Sequence, residues 1–231
     1  MSKLSSSTTL SEVTFIERRG MGRIYRATIT IEDLYNAIRK AVIRYAPRYQ
    51  RGLKNWAEST EDDLDVLLPI ADDKAQINPR RAQEMAVKYL LGKLYTAHIA
   101  WNARHEDDSP EPDFDDEQKT LIIESTITVP DTAHRHRAYY YLVHWKRNPD
   151  EIPETVEAFG IPYSRDQIVE MLDDFDPTIE SVHCDVYVLS KIEEGFLYDE
   201  FNSDAKPPST AVALALNPTK TPSRRFMSRL T

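Results

Sequence analysis

Apolar and polar residues alternate along residues 23–31 (RIYRATITI), a stretch rich in β-branched side chains, and this predicts a strand. At Ile31 the rhythm changes. Leu34, Ile38, Ala41, Val42 and Tyr45 recur at helical intervals, predicting a helix that stops before Pro47, because the residue ahead of a proline is pushed out of the α region. Asn78 and Pro79 read as an N-cap followed by proline in the first helical position. That helix is expected over residues 79–91, with Met85, Val87, Leu90 and Leu91 inward and Gly92 closing it. Residues 94–101 (LYTAHIAW) and 120–129 (TLIIESTITV) predict two further strands, the second with the strongest signal in the chain. Residues 131–146 predict a helix with an apolar stripe of Ala138, Leu142 and Trp145. Ser164 is placed to cap a helix through Met171 and Leu172, residues 182–189 alternate as a strand, and residues 192–201 read as helical.

Between these elements lie weaker patterns. Residues 1–12 are Ser/Thr-rich and read as a frayed tail, within a flexible N-terminal segment of residues 1–20. Residues 57–76 predict a loop with a short helix, and 148–163 a Pro-punctuated connector. Residues 202–207 predict a polar turn, and residues 217–231 a basic C-terminal helix or tail. Helices alternate with strands without internal repeats, so the chain reads as one mixed α/β or α+β domain.

Charge changes this picture more than composition does. The net charge is −9, yet residues 106–117 (EDDSPEPDFDDE) hold eight carboxylates and no Lys or Arg, so the rest of the chain sums to −1. That acidic run predicts a loop. Residues 18–54 run the other way, with ten basic and two acidic side chains. A polyanionic partner is therefore disfavoured only by the acidic run, and DNA is a candidate partner for residues 18–54. The lone Cys184 excludes an internal disulfide framework and a cysteine zinc cluster, and its strand-like setting predicts a core residue rather than a nucleophile. No apolar stretch reaches the length of a membrane span, so no membrane is expected as a partner. The first residues have no apolar core of a secretory signal, which makes a cytoplasmic setting the expectation.

The candidate chemistry concentrates at residues 129–137 (VPDTAHRHR), where a strand gives way to a helix. A helix start carries unpaired N–H groups and partial positive charge, which attract phosphate. Arg135 and Arg137 would add forked donors, and His134 and His136 donors that also move protons. Asp131 stands where a capping or metal-bound carboxylate would stand. The bland alternative is an exposed helix start with a capping Asp and two solvated arginines. Two shorter segments are weaker: residues 47–51 (PRYQR), with Tyr49 able to stack and Arg48 or Arg51 able to grip phosphate, and residues 202–207 with Lys206. No phosphate-binding glycine loop is present, and His134 and His136 are not at the spacing of a helical zinc pair.

Three segments in this order resemble a known family. Asp131-Thr132-Ala133-His134-Arg135-His136-Arg137-Ala138 resembles the D-G-Q-H-R-x-x-A signature of the DGQHR-domain family, which includes DndB-like proteins of DNA phosphorothioation clusters and is similar to the ParB/sulfiredoxin-like superfamily. Residues 46–51 resemble its P-x-Y-Q-R element, and Phe201-Asn202 through Lys206-Pro207 its F-x-x-N…K-P element, so the likeness spans residues 24–216. Thr132 and Ala133 stand where the signature has Gly and Gln. The resemblance implies an α+β, ParB/sulfiredoxin-like mixed sheet flanked by helices over residues 21–216, with 106–117 as an acidic insert. It implies a cleft in which Arg135 and Arg137 contact nucleotide phosphates, Gln50 and Arg51 close the opposite wall, and Asn202 and Lys206 form the rim. It further implies Mg²⁺ held near Asp131 with ATP or CTP, hydrolysis through Asp131 and His134, and a place in DNA modification or phage defence. A non-catalytic DNA-binding transcriptional regulator or interaction module is the alternative, and a homo-oligomer stays open.

Overall fold

A computed structural model describes residues 7–19, 22–45, 67–72, 75, 77–94, 98–105 and 110–203, with side chains through Tyr198. The strand expected at residues 23–31 is β2 (Gly22–Thr30), and Thr30 ends it by capping α1 (Ile31–Arg39): its hydroxyl accepts from the Asp33 amide (3.1 Å). The helix stops sooner than its apolar spacing predicted. Ala41 takes φ +54°, which turns the chain, and Ile43 and Tyr45 then bury on alternate positions of β3 (Ile43–Tyr45). A helical spacing of five apolar residues thus serves two elements.

The Ser/Thr-rich start is also corrected. Residues 8–18 form β1 (Thr8–Arg18), which pairs with β2 and, through Thr8–Leu10, with β7 (Thr120–Ile123). Leu10 and Val13 are fully buried, and two inward side chains are enough to hold a polar strand to the sheet. Part of the acidic run is strand as well, as β6 (Asp113–Asp115) pairs with β7. Phe114 anchors it, with ring centroids 5.5 Å from Phe15 and 5.6 Å from Tyr25.

The strong apolar run at 120–129 is broken between β7 and β8 (Ile127–Thr128). With β4 (Leu68–Pro69), β5 (Ile99–Ala103) and β11 (Ser181–Tyr187), these strands make one mixed sheet in the order β4-β3-β8-β5-β11-β2-β1-β7-β6. β7 and β8 stand five places apart, about 24 Å in a flat sheet at the usual strand spacing. The four residue steps from Ile123 to Ile127 reach at most about 14 Å, so the sheet has to curl. Pairing is antiparallel except for β11 with β5 and β3 with β8.

Helices α2 (Pro79–Leu90) and α3 (Ala133–Arg147) form as the pattern predicted, and α3 packs with α1, α2 and α4 (Arg165–Asp173). Asn78 caps α2 by accepting from the Arg81 amide (3.3 Å), and Gly92 takes φ +65° after its end. Ser164 and Gln167 make a reciprocal capping box on α4. The connector at 148–163 contains a separate hairpin, β9 (Thr155–Ala158) with β10 (Ile161–Ser164), turned by Phe159 and Gly160 at positive φ.

Alternation along β5 sends neighbours to opposite faces. Trp101 meets α3, whereas Asn102 meets α5 (Lys191–Ser203). There Glu194, 1% exposed, accepts from Asn102 (2.7 Å), Thr128 (2.7 Å) and Arg104 (3.2 Å). This buried carboxylate ties the first turns of α5 to β5 and β8. The described residues up to Tyr198 form one compact unit, and beyond it α5 is described only in its backbone, to Ser203. The mixed α+β class of the fold agrees with the expectation from sequence.

Candidate functional site

The chain leaves β8 through Val129 and Pro130 and enters α3 at Thr132, which takes φ +70°. A β-branched residue is costly in the left-handed region, and its surroundings must hold it there. They do so from two sides. The Thr132 hydroxyl accepts from the Ala100 amide on β5 (3.2 Å), and its carbonyl accepts from the amides of Arg135 (2.8 Å) and His136 (3.1 Å).

His136 completes this lock. It is fully buried, and its Nε2 accepts from the Trp101 indole (2.7 Å). The proton therefore sits on Nδ1, which donates to the Thr132 carbonyl (3.0 Å). Burial pushes the imidazole pKa down to about 4, so the ring stays neutral. His136 is thus part of the core and has no role at an open site.

Arg137 departs from its expected role as a phosphate ligand. It is 7% exposed and donates from Nη1 to the carbonyls of Ile70 (2.9 Å) and Asp72 (3.5 Å), with its guanidinium 5.5 Å from the Tyr141 ring centroid. Two residues along a helix turn the side chain by about 200°, so Arg135 and Arg137 cannot serve the same face.

His134 and Arg135 stay at the surface, half-buried. Arg135 donates through Nη1 to the His98 carbonyl just ahead of β5. Burial lowers its pKa, and the Asp131 carboxylate pulls the other way. His134 is likewise lowered, first by burial and then by the Arg81 charge, against the pull of Asp131. Asp131, His134, Arg135 and Arg81 therefore feel one another's charge. Arg81, from the first turn of α2, was not singled out in the sequence; the Pro79-Arg80-Arg81 run behind an N-cap was its only signal.

The two helices bring a second source of positive potential. Arg81 in the first turn of α2 acts on the first turn of α3, and further along Tyr89 sets its ring edge-on to Tyr139 at 5.5 Å. α2 and α3 thus run side by side in the same sense, with their positive dipole ends together. Beside them, Asn78, Arg80, Arg81, Gln83 and Glu84 line one side of a cleft of about 640 Å³, whose other wall is the β9–β10 hairpin.

Other expected site residues are not brought into view. Gln50, Arg51 and Lys206 lie outside the described residues, and Asn202 is described only in its helical backbone. In the basic stretch 18–54, Arg23 pairs with Glu17 (3.3 Å), Arg26 with Asp185 (2.9 Å), and Arg44 donates to the Ala41 carbonyl (3.3 Å). Arg18 and Arg19 are exposed at the end of β1. Among the described residues no three His, Cys, Asp or Glu side chains gather as a metal site, and no helix is long and apolar enough to cross a membrane. Cys184 is buried with its thiol pKa raised well above the usual value, as the core reading expected. No family model, curated protein or solved structure compared with this chain matches it.

Proposed function

We propose that this chain is a nucleotide-binding, DndB-like accessory or regulatory protein of a DNA-modification or phage-defence system, with the phosphates held at the start of α3. The observation that carries the reading is the cluster of Arg135, His134 and Arg81 at the paired N-termini of α2 and α3. Forked donors, helix-start amides and partial desolvation together favour a phosphate over a carboxylate or a neutral ligand. The left-handed Thr132 supports the resemblance, since it falls where the DGQHR signature has glycine, the residue that adopts φ +70° without cost.

Asp131 would add a single carboxylate ligand to a Mg²⁺ that arrives on ATP or CTP phosphates, because Mg²⁺ keeps several waters and takes one or two carboxylates, while the neighbouring cations would act on the phosphates. Such an ion would supply charge neutralisation on the phosphates. His134, kept largely neutral by burial and Arg81, can accept a proton from an attacking water, which is its part in hydrolysis under this reading. Arg137 has no part in it. The alternative, a non-catalytic DNA-binding regulator using residues 18–54, is weaker, because several arginines of that stretch are already held by local partners.

Isothermal titration of the full chain with ATP, CTP and GTP in the presence of Mg²⁺ tests the proposal. Saturable binding of at least one nucleotide is the expected result. Heat of dilution alone for all three rejects it.

A further inference from the structure

The β9–β10 hairpin turns through Phe159 and Gly160, both at positive φ (+56° and +77°). Two-residue turns of this kind favour Asn-Gly, because asparagine tolerates the left-handed region and phenylalanine does not. Here a phenylalanine occupies that position and leaves half its surface in water. Neither burial nor turn geometry accounts for the choice. The ring does not stand alone. The Lys88 ammonium lies 4.7 Å from its centroid and that of Lys93 5.9 Å, while Ile161 beside it is 53% exposed.

Behind the same hairpin lies the cleft of about 640 Å³ with Arg80 and Arg81 on its α2 wall. From Arg81 to Lys88 is about 10 Å along the helix at the α-helical rise. Cations therefore run from the cleft to the exposed ring along one side of α2. Of the two carboxylates on the cleft wall, Glu84 is spent on Lys88 (2.5 Å), and Glu157 faces the two arginines across the cleft.

We propose that this surface binds single-stranded nucleic acid, with the backbone phosphates drawn to Arg80, Arg81 and Lys93 and an unstacked base lying on the Phe159 ring. A basic track with an exposed aromatic platform is the general means of holding a single strand without reading its sequence. A duplex hides its base faces and offers the ring nothing to stack on. The surface shares Arg81 with the Arg135 cluster but has Arg80, Lys93 and the Phe159 ring to itself, so it adds a second ligand class whose test reads residues the nucleotide reading does not use.

The test is fluorescence anisotropy of the full chain with a labelled oligothymidylate of about a dozen residues at about 50 mM salt, where phosphate contacts are strongest. Phe159→Asn is the informative variant, since it removes the ring and supplies the residue the turn favours. We expect its affinity to fall about tenfold while its Tm holds or rises and its ATP titration stays as in wild type. Replacing Arg80 with Gln should lower the salt slope by about 0.7. No binding by wild type, an unchanged affinity in Phe159→Asn, or equal competition by duplex of the same length overturns the proposal. Should the Tm of Phe159→Asn fall, Phe159→Trp decides: recovered oligonucleotide affinity supports base stacking, and continued loss overturns it.

Discussion

His134-Arg135 and His136-Arg137 are the same dipeptide written twice, and the fold uses them in opposite ways. The first pair stays half-exposed among Asp131 and Arg81, with its charges perturbed by partial burial. The second is buried, with both side chains committed to particular carbonyls and an indole. Composition cannot separate them; helix rotation does. A step of two residues crosses to the other side of α3, where β5 and the 67–72 segment wait. The same residue types thus become solvent-facing donors or interior struts according to their phase.

The largest effect expected from breaking this contrast is on stability. Replacing His136 with Ala leaves the Trp101 N–H without an acceptor and opens a cavity, at a cost of about 3–4 kcal/mol. His134→Ala, by contrast, should stay within about 0.5 kcal/mol of wild type. Urea denaturation of the two variants checks the difference, and equal losses would erase the distinction.

Next in size is a pH effect that is strongest in the second pair, where burial is complete. His136 titrates near 4 in the fold and near 6.5 when exposed. As the pH falls the unfolded chain takes up the proton first, so the support from His136 is complete above about pH 6.5 and fades toward pH 4. The loss amounts to about 3 kcal/mol. His136→Gln can still accept from Trp101 and donate to the Thr132 carbonyl, yet it does not titrate. Its stability between pH 4 and 7 should therefore be flatter than that of wild type by about this amount.

The arginines offer the smallest and most specific contrast. Arg137→Ala should cost about 2 kcal/mol of stability by removing a donor from buried carbonyls. Arg135→Ala should leave stability within about 1 kcal/mol and instead weaken nucleotide binding by about 2 kcal/mol, or roughly thirtyfold in Kd. Paired melts and titrations check both.

Much of the frame was legible in the sequence because it is written in local signals. Asn78-Pro79 with Gly92, and Ser164, fix both ends of α2 and the start of α4 by chemistry that needs no tertiary context. What escaped depends on long-range placement. β1 has only Leu10 and Val13 as inward anchors, too few to mark a strand until β2 and β7 flank it. The run at 120–129 reads as one strand, yet it divides because a curled sheet needs its halves in different places. Glu194 reads as a solvated helix carboxylate, and its burial follows from Asn102 on β5, Thr128 on β8 and Arg104 just after β5 converging on it. At the site, the sequence located the helix start and its cations. Periodicity alone could not say which histidine would be enclosed, since α3 has polar and apolar residues on every side.

The most direct measurement is an NMR pH titration of the histidine rings in the full chain with and without ATP. A phosphate lodged at the start of α3 stabilises imidazolium only where it is close, so the His134 pKa should rise on adding nucleotide while His136 stays neutral down to about pH 4 with or without it. A His134 titration curve unaffected by saturating ATP would contradict a phosphate site at this helix start.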